Sequence, residues 1–192
     1  MNTRFFAYLN RMKYIERWGL MHSTRKENIS EHSQNTAVIA HALAIIENEI
    51  FGGSVDEYKT LFYAVYHETS EVLTGDLPTP IKYFNAEIRD AYKDLESHAN
   101  QKLLSMLPET LSSRYAAFLN ADTNSEEWLL VKAADTVSAY VKCLEELSFG
   151  NGEFKSAENS IRVKIEEIDH RAVRWFVENC LSAYKMTLDE LE

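Results

Sequence analysis

The chain has 192 residues and 45% of them are hydrophobic, which is enough to bury a sizeable core and excludes a disordered protein. The formal net charge of −10 excludes general binding to nucleic acid or to an anionic membrane, although a local cation could still hold a small anionic substrate. The two cysteines, Cys143 and Cys180, are too few for a disulfide framework, and we expect reduced thiols in a cytoplasmic protein.

The sequence pattern carries no signal for export or membrane insertion. Its start lacks a positively charged segment followed by a long apolar one, and it has no run of about 18 apolar residues. Six glycines and three prolines are few for this length, and strand-like alternation is scarce. We therefore predict an all-α protein that forms one domain over residues 1–192.

The first part of the chain predicts two helices separated by an irregular segment over residues 14–26. Residues 3–12 have the pattern of a short amphipathic helix. Asn28 and Glu31 have the spacing of a capping box, which opens a helix that runs to about residue 49. The middle of this helix is apolar on all sides, so we expect it to be central and buried.

Capping-box spacing recurs twice in the rest of the chain, at Ser54 with Glu57 and at Thr123 with Glu126. The remaining helices are predicted over residues 55–72, over 84–106, from 108 onward, from 123 to about 147, and over 160–184. Residues 74–80 form a predicted loop, because one glycine and two prolines prevent a continuous helix there.

His67 and Glu68 are adjacent metal-capable side chains in the predicted helix over residues 55–72. Glu71 shares a helix face with His67, whereas Glu68 reaches that face only from its rim. A buried carboxylate beside a histidine is costly without a partner, and a divalent cation would remove that cost. The alternative is that His67 is a hydrogen-bonded histidine near the surface. A zincin site is disfavoured because residue 71 is not histidine, and a di-iron bundle is excluded because the chain has only one Glu-x-x-His segment.

His32 and Asp135 are also unusual for their positions. His32 lies in the first turn of its helix, where a protonated ring opposes the helix dipole but a neutral, metal-bound ring does not. Asp135 lies inside a helix, where aspartate is unfavourable. The alternatives are a polar helix start for His32 and a surface pair with Lys132 for Asp135. His41 is expected in the core, and the other histidines are expected at the surface: His22, His98 and His170.

Taken together, His32, His67-Glu68 and Asp135 on a helical chain resemble the HD superfamily of metal-dependent phosphohydrolases, whose signature is His…His-Asp…Asp. The surrounding segments closely resemble the bacterial 5′-deoxynucleotidases of that superfamily. These segments are Arg17-Trp18 and residues 27–33, 71–80, 131–135 and 139–147. The resemblance covers most of the chain, from Phe5 to about Phe154.

The resemblance implies an HD-type helical bundle around a central buried helix, which is cytoplasmic and homodimeric. Such enzymes hydrolyse deoxyribonucleoside 5′-monophosphates with one divalent transition metal. The resemblance places the metal ligands at His32, His67, Glu68 and Asp135. It places the substrate contacts at Arg17, Trp18, His32, Asp76, Leu77, Pro78 and Thr79.

The resemblance also implies roles in catalysis for Arg17, Glu68 and Glu71. Arg17 would orient the phosphate, Trp18 would lie against the sugar and disfavour a 2′-hydroxyl, and Glu71 would position the attacking water. A mixed histidine and carboxylate ligand set suits Mn²⁺, Co²⁺, Fe²⁺, Zn²⁺ or Cu²⁺. We expect a single ion, because His98 is the only histidine between Glu68 and Asp135. Direct attack by water is favoured, since no nucleophile is placed to form a covalent intermediate.

Glu68 departs from the resemblance, which places aspartate at this position. The carboxylate is one methylene further out, and a displacement of about 1 Å in a tight site can cost about 100-fold in rate. Two hypotheses follow: an active deoxynucleotidase, or a catalytically impaired homologue that binds deoxynucleotide and metal. A helical interaction module without any site is a third alternative.

Overall fold

The protein is helical throughout, as the sequence predicts. The structure, a computed structural model, describes residues 3–192 and contains no β-strand within them. Backbone pairing outside helices and turns there includes one antiparallel bridge between Glu16 and Asn28. The α-helices are α1 (Phe5–Leu9), α2 (Ile29–Phe51), α3 (Glu57–Tyr66), α4 (Glu71–Thr74), α5 (Thr79–Lys82), α6 (Ala86–Leu104), α7 (Glu109–Leu119), α8 (Glu126–Ser148), α9 (Lys155–Glu166) and α10 (Arg171–Asn179).

Helices α2 and α8 form the centre of the molecule, and α3, α9 and α10 pack around them. Leu43 of α2 and Leu130 and Val137 of α8 are fully buried in the larger of two apolar clusters. Each such side chain contributes about 1.5–3 kcal/mol through the surface it removes from water. The two long helices therefore form a rigid base on which side chains from different parts of the chain can meet.

The central helix is less buried than its composition predicts. Val38 and Ile45 are 58% and 38% exposed, and His41, which we expected in the core, is only half-buried. An apolar sequence on all sides of a helix thus does not ensure burial on all sides. The capping box that opens α2 is confirmed, since Asn28 accepts from the backbone N–H of Glu31 and the Glu31 side chain accepts from that of Asn28.

The other two predicted capping boxes are wrong by two residues. Helix α3 is capped by Asp56 rather than Ser54, because Asp56 Oδ1 accepts from the backbone N–H of Lys59. Helix α8 is capped by Ser125, whose hydroxyl accepts from the backbone N–H of Trp128. Thr123, the predicted cap, is exposed in the preceding turn.

Two predicted helices are interrupted. The helix expected over residues 55–72 ends at Tyr66, and a turn over residues 67–70 separates it from α4. The helix expected over residues 160–184 breaks after Glu166, where His170 caps α10 by accepting from the backbone N–H of Ala172. The first interruption matters for function, because it places His67 and Glu68 in a turn.

The smaller apolar cluster packs beside this turn. Phe5, Leu103 and Leu119 are at its centre and join α1, α6 and α7. Tyr66, at the end of α3, stacks on Phe118 at 5.9 Å between ring centroids. The turn after α3 is thus held between the two clusters. Over residues 3–192, none of the helices combines the length and the apolar character that a membrane crossing requires.

Candidate active site

The four predicted metal ligands lie together, although they come from three parts of the chain. His32 is in the first turn of α2, His67 and Glu68 are in the turn after α3, and Asp135 is in the middle of α8. One ligand atom from each of the four lies within 4.8 Å of one from every other. His67 and Glu68 are adjacent in the turn after Tyr66, and both side chains reach this point.

Short contacts link the four side chains in pairs. His32 Nε2 lies 3.0 Å from Asp135 Oδ1, and His67 Nε2 lies 3.2 Å from Glu68 Oε1. His32 Nε2 is 4.0 Å from the same Glu68 oxygen. The longer side chain of Glu68 therefore reaches the histidines. The predicted pair of Asp135 with Lys132 is also present. Asp135 therefore contacts His32 through Oδ1 and Lys132 through Oδ2.

The orientation of His67 fits a metal ligand. Its Nδ1 donates to the carbonyl oxygen of Ala64 over 2.7 Å, so in the neutral ring Nε2 carries a lone pair. Nε2 is buried, lies 3.2 Å from a Glu68 oxygen, and makes no hydrogen bond with it. Two lone pairs that face each other repel, and a cation between them removes the repulsion. A metal-binding histidine is commonly fixed in this way by its second nitrogen.

The electrostatics of the cluster also favour a cation. Burial alone would raise the pKa of Asp135, but the charge of Lys132 and the hydrogen bond from His32 hold it well below its ordinary value. The pKa of Glu68 is likewise held well below its ordinary value, chiefly by His67 when that ring is protonated, and a metal ion would take the place of this positive charge. Burial lowers the pKa of His32, and the charge of Arg17 lowers it further. The cluster thus presents two carboxylates and a histidine that disfavours its own proton.

Glu71 lies beside the ligands and is buried in the first turn of α4. Its Oε2 makes no hydrogen bond within the described part of the chain. Burial and, next, the charge of Glu68 raise the pKa of Glu71 to about 10. A positive charge among the ligands opposes this rise. Without such a charge Glu71 holds its own proton at neutral pH, so it can accept a proton from water only when a cation among the ligands lowers its pKa.

Arg17 and Trp18 form one side of the site. Arg17 is partly buried, with 13% of its side chain exposed, and its Nη1 lies 3.9 Å from Glu68 Oε1. Trp18 has a backbone φ of 61°, a conformation that is rare for a bulky residue. Such strain persists only where surrounding contacts impose it, and it is frequent at functional sites. The indole ring packs against buried Phe154, with 5.3 Å between ring centroids.

A pocket of about 690 Å³ opens over the cluster. Arg17, Trp18, Glu68, Glu71, Asp135 and the predicted segment from Asp76 to Thr79 line it, and four cations are among the lining side chains: Arg17, Lys82, Lys132 and Lys164. The loop predicted over residues 74–80 is shorter in the structure, where residues 75–78 connect α4 to α5, the helix that carries Lys82. Four acidic residues line the same pocket, Glu68, Glu71, Asp76 and Asp135, so they match the four cations in number. A divalent ion on the ligand cluster would leave positive charge in excess, as an anionic ligand requires.

Sequence reasoning missed several lining residues. Tyr83, Lys82 and Lys164 carry no motif, and nothing in their spacing connects them to the cluster. Glu27 was also missed as a site residue, although its carboxylate accepts hydrogen bonds from both Arg17 and Trp18. The available signal was its place in the segment over residues 27–33, which resembles the 5′-deoxynucleotidases.

A second group of metal-capable side chains lies at the far end of α2. His170, predicted at the surface, is partly buried and lies within 4 Å of Glu47 and Glu126. The guanidinium of Arg171 already pairs with both oxygens of Glu47. This group is therefore an ion-pair network that joins α2, α8 and α10.

Comparisons with known proteins agree with this geometry. The family described as 5′-deoxynucleotidase YfbR-like matches residues 4–184. The 5′-deoxynucleotidase of Vibrio cholerae is 48% identical over 190 residues, which are 98% of each chain. The 5′-deoxynucleotidase YfbR of Shigella flexneri is 47% identical and covers 98% of this chain and 96% of its own.

The fold also matches solved structures. An HD-domain phosphohydrolase from Listeria innocua has a TM-score of 0.81 at 23% identity, covering 94% of this chain and 88% of its own. The HD phosphohydrolase DatZ of cyanophage S-2L, solved with dA and one catalytic Zn²⁺, has a TM-score of 0.62 at 17% identity and covers 92% and 95% of the two chains. At these identities the likeness establishes the HD-type bundle.

Proposed function

The chain belongs to the family of YfbR-like 5′-deoxynucleotidases, and we propose that it hydrolyses deoxyribonucleoside 5′-monophosphates to deoxynucleoside and phosphate with one divalent metal. The observation that carries the proposal is the ligand cluster at a pocket that Arg17 lines, where His67 Nε2 is buried and has no hydrogen-bond partner among residues 3–192. The relatives named 5′-deoxynucleotidase at 47–48% identity favour an active enzyme over an impaired homologue. Glu68 supports the same choice, because its oxygen lies with the other ligand atoms.

The metal would be held by His32, His67, Glu68 and Asp135, and Mn²⁺, Co²⁺, Fe²⁺, Zn²⁺ and Cu²⁺ all suit these ligands. When bound, such an ion polarises a phosphate oxygen and lowers the pKa of a bound water. Ser138 and Ala64 fix the histidines through their second ring nitrogens, at 3.3 Å from His32 and 2.7 Å from His67.

The other residues of the pocket orient the reactants. The guanidinium of Arg17 binds the phosphate and offsets charge that develops on it during in-line displacement. Glu71 lines the pocket beside the ligands, and once ionised by a bound metal it would orient the attacking water and accept its proton. Trp18 lies against the sugar and leaves little room for a 2′-hydroxyl, while Asp76, Leu77, Pro78 and Thr79 line the nucleotide site.

We further propose that the chain is a single domain that acts in the cytoplasm as a homodimer, without binding nucleic acid polymers or membranes. Two free cysteines suit a reducing compartment. The net charge of −10 opposes binding to polyanions and anionic lipids. Exposed apolar residues on the central helix, Val38 and Ile45, are compatible with an interface.

The proposal is tested by phosphate release from a panel of 5′-deoxynucleotides and ribonucleotides with added Mn²⁺ or Co²⁺, with the Glu68→Asp variant measured in parallel. Activity on deoxynucleotides in both proteins supports the proposal and the role of Glu68 as a ligand. Activity in Glu68→Asp alone means that Glu68 impairs this chain. Absence of activity in both proteins refutes the enzymatic assignment.

A further inference from the structure

Glu27 is buried directly behind the pocket, with 6% of its surface exposed. A single oxygen, Oε2, accepts a hydrogen bond from Arg17 Nε over 3.1 Å and from Trp18 Nε1 over 3.0 Å. The side chains proposed to meet the phosphate and the sugar thus share one acceptor. We infer that Glu27 is a positioning residue that holds Arg17 and Trp18 as one unit, so that phosphate orientation and deoxyribose selection depend on it together.

The backbone around Glu27 is fixed from both sides. The N–H of Arg17 donates to the Glu27 carbonyl over 2.9 Å, and the N–H of Ile29 donates to that of Ile15 over 3.0 Å. Directly after Glu27, Asn28 caps α2, the helix that carries His32. The position of the Glu27 carboxylate is therefore fixed relative to α2, the helix that carries the proposed metal ligand His32. Displacement of this carboxylate would move Arg17 and Trp18 relative to the cluster.

The pattern of bonds leaves the reactive edge of Arg17 free. Guanidinium has five N–H groups, and Glu27 takes the one on Nε, so Nη1 and Nη2 keep theirs. Nη1 already points toward the cluster, 3.9 Å from Glu68 Oε1. Trp18 is held at its N–H by Glu27 and on its ring by Phe154, in a strained backbone conformation. Without Glu27 the indole N–H of Trp18 loses its hydrogen-bond acceptor, and one of the contacts that hold Trp18 in its strained backbone conformation is lost.

This inference rests on the proposed function, because the roles of Arg17 and Trp18 belong to it. The test compares Glu27→Gln, which removes the charge at nearly constant volume, with Glu27→Asp, which keeps the charge. Glu47→Gln is the matched control, since Glu47 is also a buried glutamate paired with an arginine, but one outside the pocket. kcat and KM are measured for one deoxynucleotide and the matching ribonucleotide, together with bound metal and thermal stability.

We expect Glu27→Gln to lower kcat/KM for the deoxynucleotide by about 100-fold, the effect of a displacement of about 1 Å in a site. The ratio of deoxynucleotide to ribonucleotide activity should fall as well, while metal content stays unchanged. Glu27→Asp should recover part of the kcat/KM and part of the ratio. Glu47→Gln should lose stability but keep the ratio. A Glu27→Gln variant that keeps the wild-type ratio, with losses like those of Glu47→Gln, would make Glu27 a structural residue only.

A second measurement is independent of turnover. In a ¹⁵N–¹H spectrum, the indole signal of Trp18 is assigned with Trp18→Phe. It should shift in Glu27→Gln and stay in place in Glu47→Gln. An unchanged signal in Glu27→Gln would overturn the inference. If the wild-type chain released no phosphate, the proposed function would fail, whereas this spectrum would still decide whether Glu27 positions Trp18.

Discussion

At the residue scale, Arg17 offers a direct test of how the pocket treats phosphate. Its side chain is partly buried, and its Nη1 lies near the ligand cluster. We expect Arg17→Ala to lower kcat by about 10²–10³-fold, as for the loss of one donor to developing charge, with metal content unchanged. Phosphate release and metal analysis of the purified variant measure both. Arg25→Ala is the control, because Arg25 is exposed and outside the pocket; equal losses in the two variants would exclude Arg17 as a phosphate ligand.

Single residues also show what sequence could reveal of the site. The four ligands were found because histidine in a first helical turn and aspartate inside a helix contradict local preference, and because their order resembles a known signature. Glu27 contradicts nothing locally: a glutamate before a helix cap is ordinary. Its importance comes from two donors nine and ten residues earlier in an irregular segment, whose path no periodicity predicts.

Helix α8 begins two residues later in the structure than the sequence pattern predicts. Ser125 accepts from the backbone N–H of Trp128, whereas Thr123 was the predicted cap. We expect Ser125→Ala to lower the free energy of unfolding by about 1 kcal/mol, and Thr123→Ala to leave it nearly unchanged. Urea unfolding of both variants measures this. A larger loss in Thr123→Ala would mean that the helix begins two residues earlier.

Such errors in helix ends have one cause. Capping-box spacing recurs by chance wherever polar residues are frequent. The path of the preceding loop then decides which polar residue caps the helix. The same holds for the turn after Tyr66. Its sequence continues a helical pattern, but in the structure α3 ends at Tyr66, whose ring stacks on Phe118. Helix existence was therefore predictable, whereas the ends that orient His67 and Glu68 were not.

Glu146, near the end of α8, gives the fold a dependence on pH. It is buried and accepts hydrogen bonds from Lys142, Asn151 and the backbone N–H groups of Thr24 and Arg25. Burial alone would raise the pKa of Glu146, but these donors lower it below its ordinary value. A lowered folded-state pKa stabilises the protein above the ordinary value of about 4.3, and this contribution is lost as the pH falls further.

We therefore expect Glu146→Gln to be less stable than the wild type at neutral pH, and this difference to shrink below about pH 4.3. Urea unfolding of both proteins across that range measures it. Glu153→Gln is the control, because Glu153 is exposed and bonds only the backbone of His22 in the same region. A difference that stayed constant with pH would show that packing, and not the charge of Glu146, stabilises this segment.

The all-α class of the whole molecule was predictable from composition and periodicity, because glycines and prolines are few and strand-like alternation is scarce. The assembly of the site followed from the resemblance, because nothing in the spacing of His32, His67 and Asp135 states that their helices converge. That convergence depends on α2 and α8 packing against each other along buried Leu43 and Val137. Two distant helices and one turn thus form the site only in the folded chain.

This convergence predicts that metal binding stabilises the whole molecule. The unfolded chain separates the ligands by up to about a hundred residues, so an ion binds the folded state far better and stabilises it by RT ln(1 + [L]/Kd), about 2.7 kcal/mol at 100 times Kd. For a chain of this size that raises Tm by about 5–10 °C. We expect metal-stripped protein to gain this shift on addition of Mn²⁺ or Co²⁺, measured by calorimetry. His67→Ala should abolish the gain and His98→Ala, an exposed histidine, should keep it. An equal gain in both variants would place the stabilising ion elsewhere, with the group of Glu47, Glu126 and His170 as the next candidate.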